Sequence, residues 1–239
     1  MTDRVVIITG ASGGLGAATA RALVAAGDMV VLGSRRPERL ASLSDDLGDA
    51  AVWRETDVSR RGDMDSLAAL ALDRFGRIDV LINNAAIMPI SLIEQGMVDD
   101  WDKMIDINIK GMLYGINAVL PHMLSRNSGT IITVASTASM KAAPTSAVYS
   151  GTKAAQRMIS EGLRQETNGR IRISTVHPGV MDSDLHASIT VPEMRDHALR
   201  TMTNALDTKA VARAILYILD QPPEVELNEV VMRRGGDIF

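Results

Sequence analysis

The chain has no cysteine among its 239 residues. That excludes a disulfide framework and a thiolate metal site, and no metal is expected. It has no basic block, and its formal net charge of −4 is mild, so nucleic acid is not an expected partner. No apolar run reaches the ~18 residues of a membrane helix. The first ten residues run straight into a strand, which leaves no stretch for a signal peptide. The expectation is a cytoplasmic protein with no membrane partner. No internal repeat, linker or low-complexity tract breaks the chain. Hydrophobic residues make up 46%, which argues against disorder. The length suits one α/β domain, residues 1–239, with a large core.

What is present alternates between strand and helix. Val5-Val6-Ile7-Ile8 is a β-branched run that reads as a strand buried on both faces. Gly10, Ser12, Gly13, Gly14, Leu15 and Gly16 form the turn that follows it. A strong helix former runs from Ala17 to Val24 and stops at Gly27. Strand, glycine turn and helix are the context of a dinucleotide fingerprint, because missing side chains let the backbone approach a pyrophosphate. A tight turn without a ligand would look similar. The strand at Met29–Leu32 after it favours a nucleotide. That strand ends in Gly33-Ser34-Arg35-Arg36. An acid there would hold a ribose 2′-OH, and the acid is missing. Pro37 opens a helix to Leu47, and Ala51–Glu55 is a third strand.

Asp79–Ile82 is a fourth strand, followed by Asn83-Asn84-Ala85-Ala86. Trp101 to Leu124 reads as one long helix, apolar on more than one side and interrupted by Asn108. Thr130–Ala135 is a fifth strand that delivers Ser136, and a helix spans Tyr149 to Gln165. The sixth strand, Arg170–Val176, leads into His177-Pro178-Gly179, read as loop. Asp184–Asp207, with His186, Met194 and Met202, lacks a period and reads as an irregular lid. Thr208 is expected to cap the next helix, and Glu229–Met232 is a last strand.

Tyr149 and Lys153 are four residues apart, one helical turn. With three tyrosines and five lysines in the chain, chance gives about 0.06 such pairs. A fixed ammonium near a phenol is expected to lower its pKa, so that the phenol can give or take a proton near neutral pH.

The glycine turn, Asn83-Asn84-Ala85-Ala86, Asn108, Ser136 and the Tyr149/Lys153 pair occur in the order and spacing of one family. The chain resembles the classical short-chain dehydrogenase/reductase (SDR) family over nearly its whole length, about residues 4–233. The stretches 83–88, 100–124 and 228–233 are most similar to a bacterial subgroup that includes the clavulanate-pathway aldehyde reductase. The resemblance implies a Rossmann-type, doubly wound parallel sheet of seven strands in the order 3-2-1-4-5-6-7. The cofactor half would be about 1–98. The catalytic and substrate half would be about 99–239, with the lid at 184–207. It implies a catalytic set of Asn108, Ser136, Tyr149 and Lys153, with the Asn108 carbonyl holding a relay water near Lys153. Cofactor contacts would come from Gly10, Ser12–Gly16, Ser34, Arg35, Arg36, Asp57, Val58, Asn84, Ala85, Ala86, Tyr149, Lys153, Pro178, Gly179, Val180 and Ser183. Asp57 fits either an adenine-side contact or a cap on the following helix.

Ser34 stands where the family's NAD enzymes carry aspartate, so NADP(H) is the expected cofactor, with NAD(H) possible. His177, where asparagine is common, and Ala86, where glycine is common, are departures. Met88, Ser136, Ala138, Val148, Tyr149, Met181 and Leu185 would face the substrate, a small, largely apolar carbonyl or alcohol. The doubly apolar helix implies a homotetramer or homodimer. Two other classes share the nucleotide motif. One is a non-catalytic NAD(P)-binding regulator, which tends to lose the tyrosine and lysine. The other is a sugar-nucleotide epimerase, which needs more chain after Gly179.

Overall fold

The computed structural model describes residues 3–201 and 205–236; Met202 lies outside them. The strands form one parallel seven-stranded sheet in the order β3-β2-β1-β4-β5-β6-β7. They are β1 (Val5–Thr9), β2 (Met29–Ser34), β3 (Ala51–Glu55), β4 (Val80–Asn83), β5 (Thr130–Val134), β6 (Arg172–Pro178) and β7 (Glu229–Met232). All five residues of β1 and all five of β5 are buried. That fits continuous β-branched runs, since a central parallel strand has no solvent face. Register is consistent across the centre: Ile8 pairs with Leu32 on one side and Ile82 on the other.

The helices are α1 (Gly14–Ala25), α2 (Pro37–Leu47), α3 (Arg61–Phe75), α4 (Val98–Met104), α5 (Gly111–Ser125), α6 (Ala147–Thr167), α7 (Pro192–Thr201) and α8 (Thr208–Leu219). They cover both faces of the sheet and close two cores. One packs β1 residues Val6 and Ile8 with Leu23 of α1, Leu40 of α2 and Ile215 of α8. The other packs Val5 and Ile7 with Leu67 of α3, Val119 of α5 and Leu163 of α6. Alternate residues of one strand therefore feed opposite cores. Right-handed crossovers bring the carboxyl ends of the strands to one edge.

Four expectations are corrected here. The helix expected over Trp101–Leu124 is α4 and α5 joined by a π turn at Ile105–Lys110, with Asn108 inside it. Such turns widen the backbone ladder. His177 lies within β6, fully buried and paired in register with Val231, rather than in a loop. The cap of α8 is Asp207, whose carboxylate accepts from Lys209 N at 2.8 Å, and Thr208 is the first helical residue. The region expected to be irregular holds a 3-10 turn at Asp184–Ser188 and helix α7.

Candidate active site

One large cleft, about 580 Å³, opens along the carboxyl edge of the sheet, within the usual range for small-molecule sites. Its floor begins at the β1–α1 turn. Gly10 has φ +65°, and a Cβ there would come within 2.9 Å of Ala85 Cα; at Gly16 a Cβ would meet Gly10 O at 2.5 Å. The backbone is thus packed tightly beneath the cleft. Gly13 begins α1 without any side-chain cap, which leaves first-turn N–H groups for an anion. Asn84 ties β4 to this turn, its Nδ2 donating to Thr9 O at 2.9 Å and Gly10 O at 3.2 Å.

The end of β2 builds a polar cluster. The Ser34 and Ser12 hydroxyls hydrogen-bond each other, Arg36 N donates to Ser34 Oγ at 3.1 Å, and Arg36 Nε donates to Ser12 Oγ at 3.0 Å. Arg36 is ordered against the serines, while the neighbouring Arg35 is exposed. Arg36 and Arg39 both donate to Asp184 Oδ2, at 3.2 and 2.6 Å, and so tie the 184–188 turn to α2. The Asp57 carboxylate accepts from Ser59 N and Ser59 Oγ at 3.0 and 2.7 Å, while the residue also lines the cleft. It closes a turn ahead of α3, which begins only at Arg61.

At the other end, Ser136, Tyr149 and Lys153 converge on the cleft from β5 and α6. The Ser136 hydroxyl accepts from Ala138 N at 3.1 Å. Burial pushes the Tyr149 phenol up to about 12, against the lowering influence of Ser136. Burial also pushes the Lys153 ammonium down to about 7. The expected lowering of the phenol by the lysine is therefore not what this arrangement gives. Lys153 Nζ lies 5.9 Å from the Tyr149 ring centre and donates to Val134 O and Gln156 Oε1, both at 2.9 Å.

Asn108 does not line the cleft; it is buried behind it. Its Oδ1 accepts from Ile87 N at 2.9 Å, and its Nδ2 donates to Ile87 O at 3.0 Å and Thr152 Oγ1 at 3.1 Å. Its carbonyl, expected to hold a relay water, accepts from Gln156 Nε2 at 2.6 Å.

His177 supports Ser136 from below. Ser139 Oγ donates to Ser136 O at 2.6 Å, so the imidazole Nδ1, 2.8 Å from that hydroxyl, is assigned as the donor to it. Burial holds His177 below its ordinary pKa, and it is a neutral prop.

The expected cofactor residues all line the cleft, as do Met88, Ala138, Met181 and Leu185. Val148 does not. It precedes Tyr149 by one residue on α6, about 100° around the helix, so the two cannot share a direction. Residues not foreseen include Ile90, Ile107, Ser146, Ser188 and His197. Ser188 Oγ accepts from Met88 N at 2.8 Å and donates to Leu185 O at 2.6 Å. The small residues and uncapped helix start suit the pyrophosphate of a dinucleotide, and the Ser12–Ser34–Arg36 cluster suits its ribose end.

A nucleotide cleft on this sheet, with serine, tyrosine and lysine at its far end, defines a nicotinamide-dependent oxidoreductase. A family model of short chain dehydrogenase matches residues 4–193, and the chain belongs to that family. An uncharacterized oxidoreductase of Staphylococcus saprophyticus is 44% identical over 235 residues, covering 97% of this chain and 96% of that protein. The closed form of a serine dehydrogenase complexed with NADP+ superposes with a TM-score of 0.90 at 32% identity, over 95% of this chain and 94% of the other. An alcohol dehydrogenase from Thermococcus sibiricus complexed with 5-hydroxy-NADP gives a TM-score of 0.87 at 26% identity, over 98% and 97%. Among the described residues, no helix is long and apolar enough to cross a membrane.

Proposed function

We propose that the protein reduces a small, largely apolar ketone or aldehyde with NADPH, or runs the reverse oxidation of a secondary alcohol. The observation that carries this reading is the convergence of Ser136, Tyr149 and Lys153 at the end of a cleft whose other end holds Ser34 and Arg36. Bound nicotinamide would supply or accept the hydride. The chain's residues do the rest. The Ser136 hydroxyl donates to the carbonyl oxygen. The Tyr149 phenol, fully protonated at neutral pH, gives its proton to that oxygen as charge develops there. Burial keeps that phenol in its proton-bearing form at pH 7, the form that serves as the acid when a carbonyl is reduced. Lys153 would hold the ribose hydroxyls beside the tyrosine, and Asn108 braces the wall behind both.

At the ribose end, Ser34 removes the charge repulsion that an aspartate would exert on a 2′-phosphate. Arg36, with Arg35 beside it, offers charge-assisted donors. Complexes of the two similar structures with NADP+ and 5-hydroxy-NADP support the same choice. Apolar walls at Met88, Met181 and Leu185, without a cation among them, fit a neutral substrate. The turn at 184–188 and α7 would act as the lid. One domain spans the chain in this reading, which places the protein in the cytoplasm, and exposed Leu113 and Met158 support assembly of identical copies. The test is oxidation of NADPH and of NADH with a panel of aldehydes, ketones and alcohols. The reading expects turnover of neutral carbonyls with NADPH favoured; equal or better kcat/KM with NADH, or no turnover of any member, contradicts it.

A further inference from the structure

Gln156 stands three residues after Lys153 on α6, one turn along the same face. It is 2% exposed. Its Oε1 accepts from Lys153 Nζ at 2.9 Å, and its Nε2 donates to Asn108 O at 2.6 Å. Each end of the amide meets the one polarity it can serve. A leucine would fill similar space, so burial alone does not call for an amide, and an unpaired amide there would be costly. The carbonyl it meets belongs to the π turn between α4 and α5. Lys153, Gln156 and Asn108 are therefore joined in a chain of hydrogen bonds running from the cleft into the wide turn behind it. Near neutral pH a carboxamide is neither an acid nor a base, so this link holds its partners and does not carry protons between them.

We propose that Gln156 is a positioning residue for Lys153, linking its ammonium through the side-chain amide to the Asn108 carbonyl and setting how firmly it keeps its proton. The catalytic consequence rests on the hydride-transfer reading above; the hydrogen-bond chain is a property of the free protein. Other groups also face Lys153. Val134 O comes from β5, Tyr149 from the same helix, and His177 from β6, with Glu229 Oε2 of β7 4.0 Å behind that imidazole. Gln156 differs from these in touching the ammonium with a neutral side-chain acceptor that substitution can remove without adding or deleting a charge.

The five lysines are few enough to follow by their ¹³Cε shifts against pH, with Lys153 assigned by its loss in Lys153→Met. Gln156→Met keeps the length and removes both polar ends; Gln156→Glu keeps an acceptor and makes it an anion. The Lys153 midpoint should move down by about one pH unit in the first and up by about one or more in the second. In the unsubstituted protein, the Gln156 side-chain amide signals should shift with the same midpoint as Lys153. An unmoved Lys153 midpoint in folded Gln156→Met overturns the proposal. So does a Gln156 amide blind to that titration, whatever becomes of the variants. None of this needs substrate, so failure here leaves hydride transfer standing, and absence of turnover leaves this link standing.

Discussion

Replacing Lys153 with methionine should change how stability depends on pH. The side chain is 2% exposed, and its ammonium is held at about 7, against 10.5 for a free lysine, by burial. Between those values the folded protein has released a proton that the unfolded chain still binds. Unfolding then takes up a proton, so stability rises with pH across this window. The limiting slope is about 1.4 kcal/mol per pH unit. From about pH 7 to 9.5, wild type should gain about 3 kcal/mol relative to Lys153→Met. Loss of the hydrogen bonds to Val134 O and Gln156 Oε1 adds an offset that does not vary with pH and drops out of the slope. Staying below pH 10 also avoids ionising tyrosines in the unfolded chain. Urea unfolding of both proteins at half-unit steps measures the difference. A difference that stays flat or falls with pH would refute the assignment of a buried, proton-poor lysine.

At the ribose end, Ser34→Asp combined with Arg35→Ser and Arg36→Ser should reverse a preference for NADPH of tenfold to several hundredfold, or about 1.4–3.5 kcal/mol, read as the ratio of kcat/KM values with the two cofactors. An unchanged ratio removes these residues from cofactor choice. Gly16→Ala should destabilise the fold by about 1–3 kcal/mol, because its Cβ would sit 2.5 Å from Gly10 O. NADPH titration by fluorescence should weaken with it, and an alanine variant that melts and binds like wild type would contradict the packing described.

The central strands were legible because burial on both faces demands continuous β-branched runs, and Val5–Ile8 and Thr130–Val134 supply them. The glycine turn and the Tyr149–Lys153 spacing marked the two ends of the cleft for the same kind of reason: each needs particular residue types at fixed distances. Features set by tertiary packing were hidden. The His-Pro-Gly triplet reads as punctuation, yet His177 and Pro178 complete β6 because β7 pairs beside them. The π turn left no mark, since Ile105, Ile107 and Ile109 read as the apolar surface of an ordinary helix. Helix α7 has mostly polar residues at irregular intervals. Gln156 did carry a signal, its position one turn after Lys153, but a glutamine in a helix ordinarily faces water. The direction of the Tyr149 pKa also depends on burial, which no spacing reveals.

The central claim is that the Tyr149 phenol supplies the proton to the substrate oxygen. Tyr149→Phe removes only that hydroxyl. With the best carbonyl from the panel and saturating NADPH, kcat should fall at least about a hundredfold, within the range for a lost general acid, while NADPH affinity by fluorescence titration stays within about twofold of wild type. A phenylalanine variant that binds NADPH normally and turns over near the wild-type rate would contradict the account.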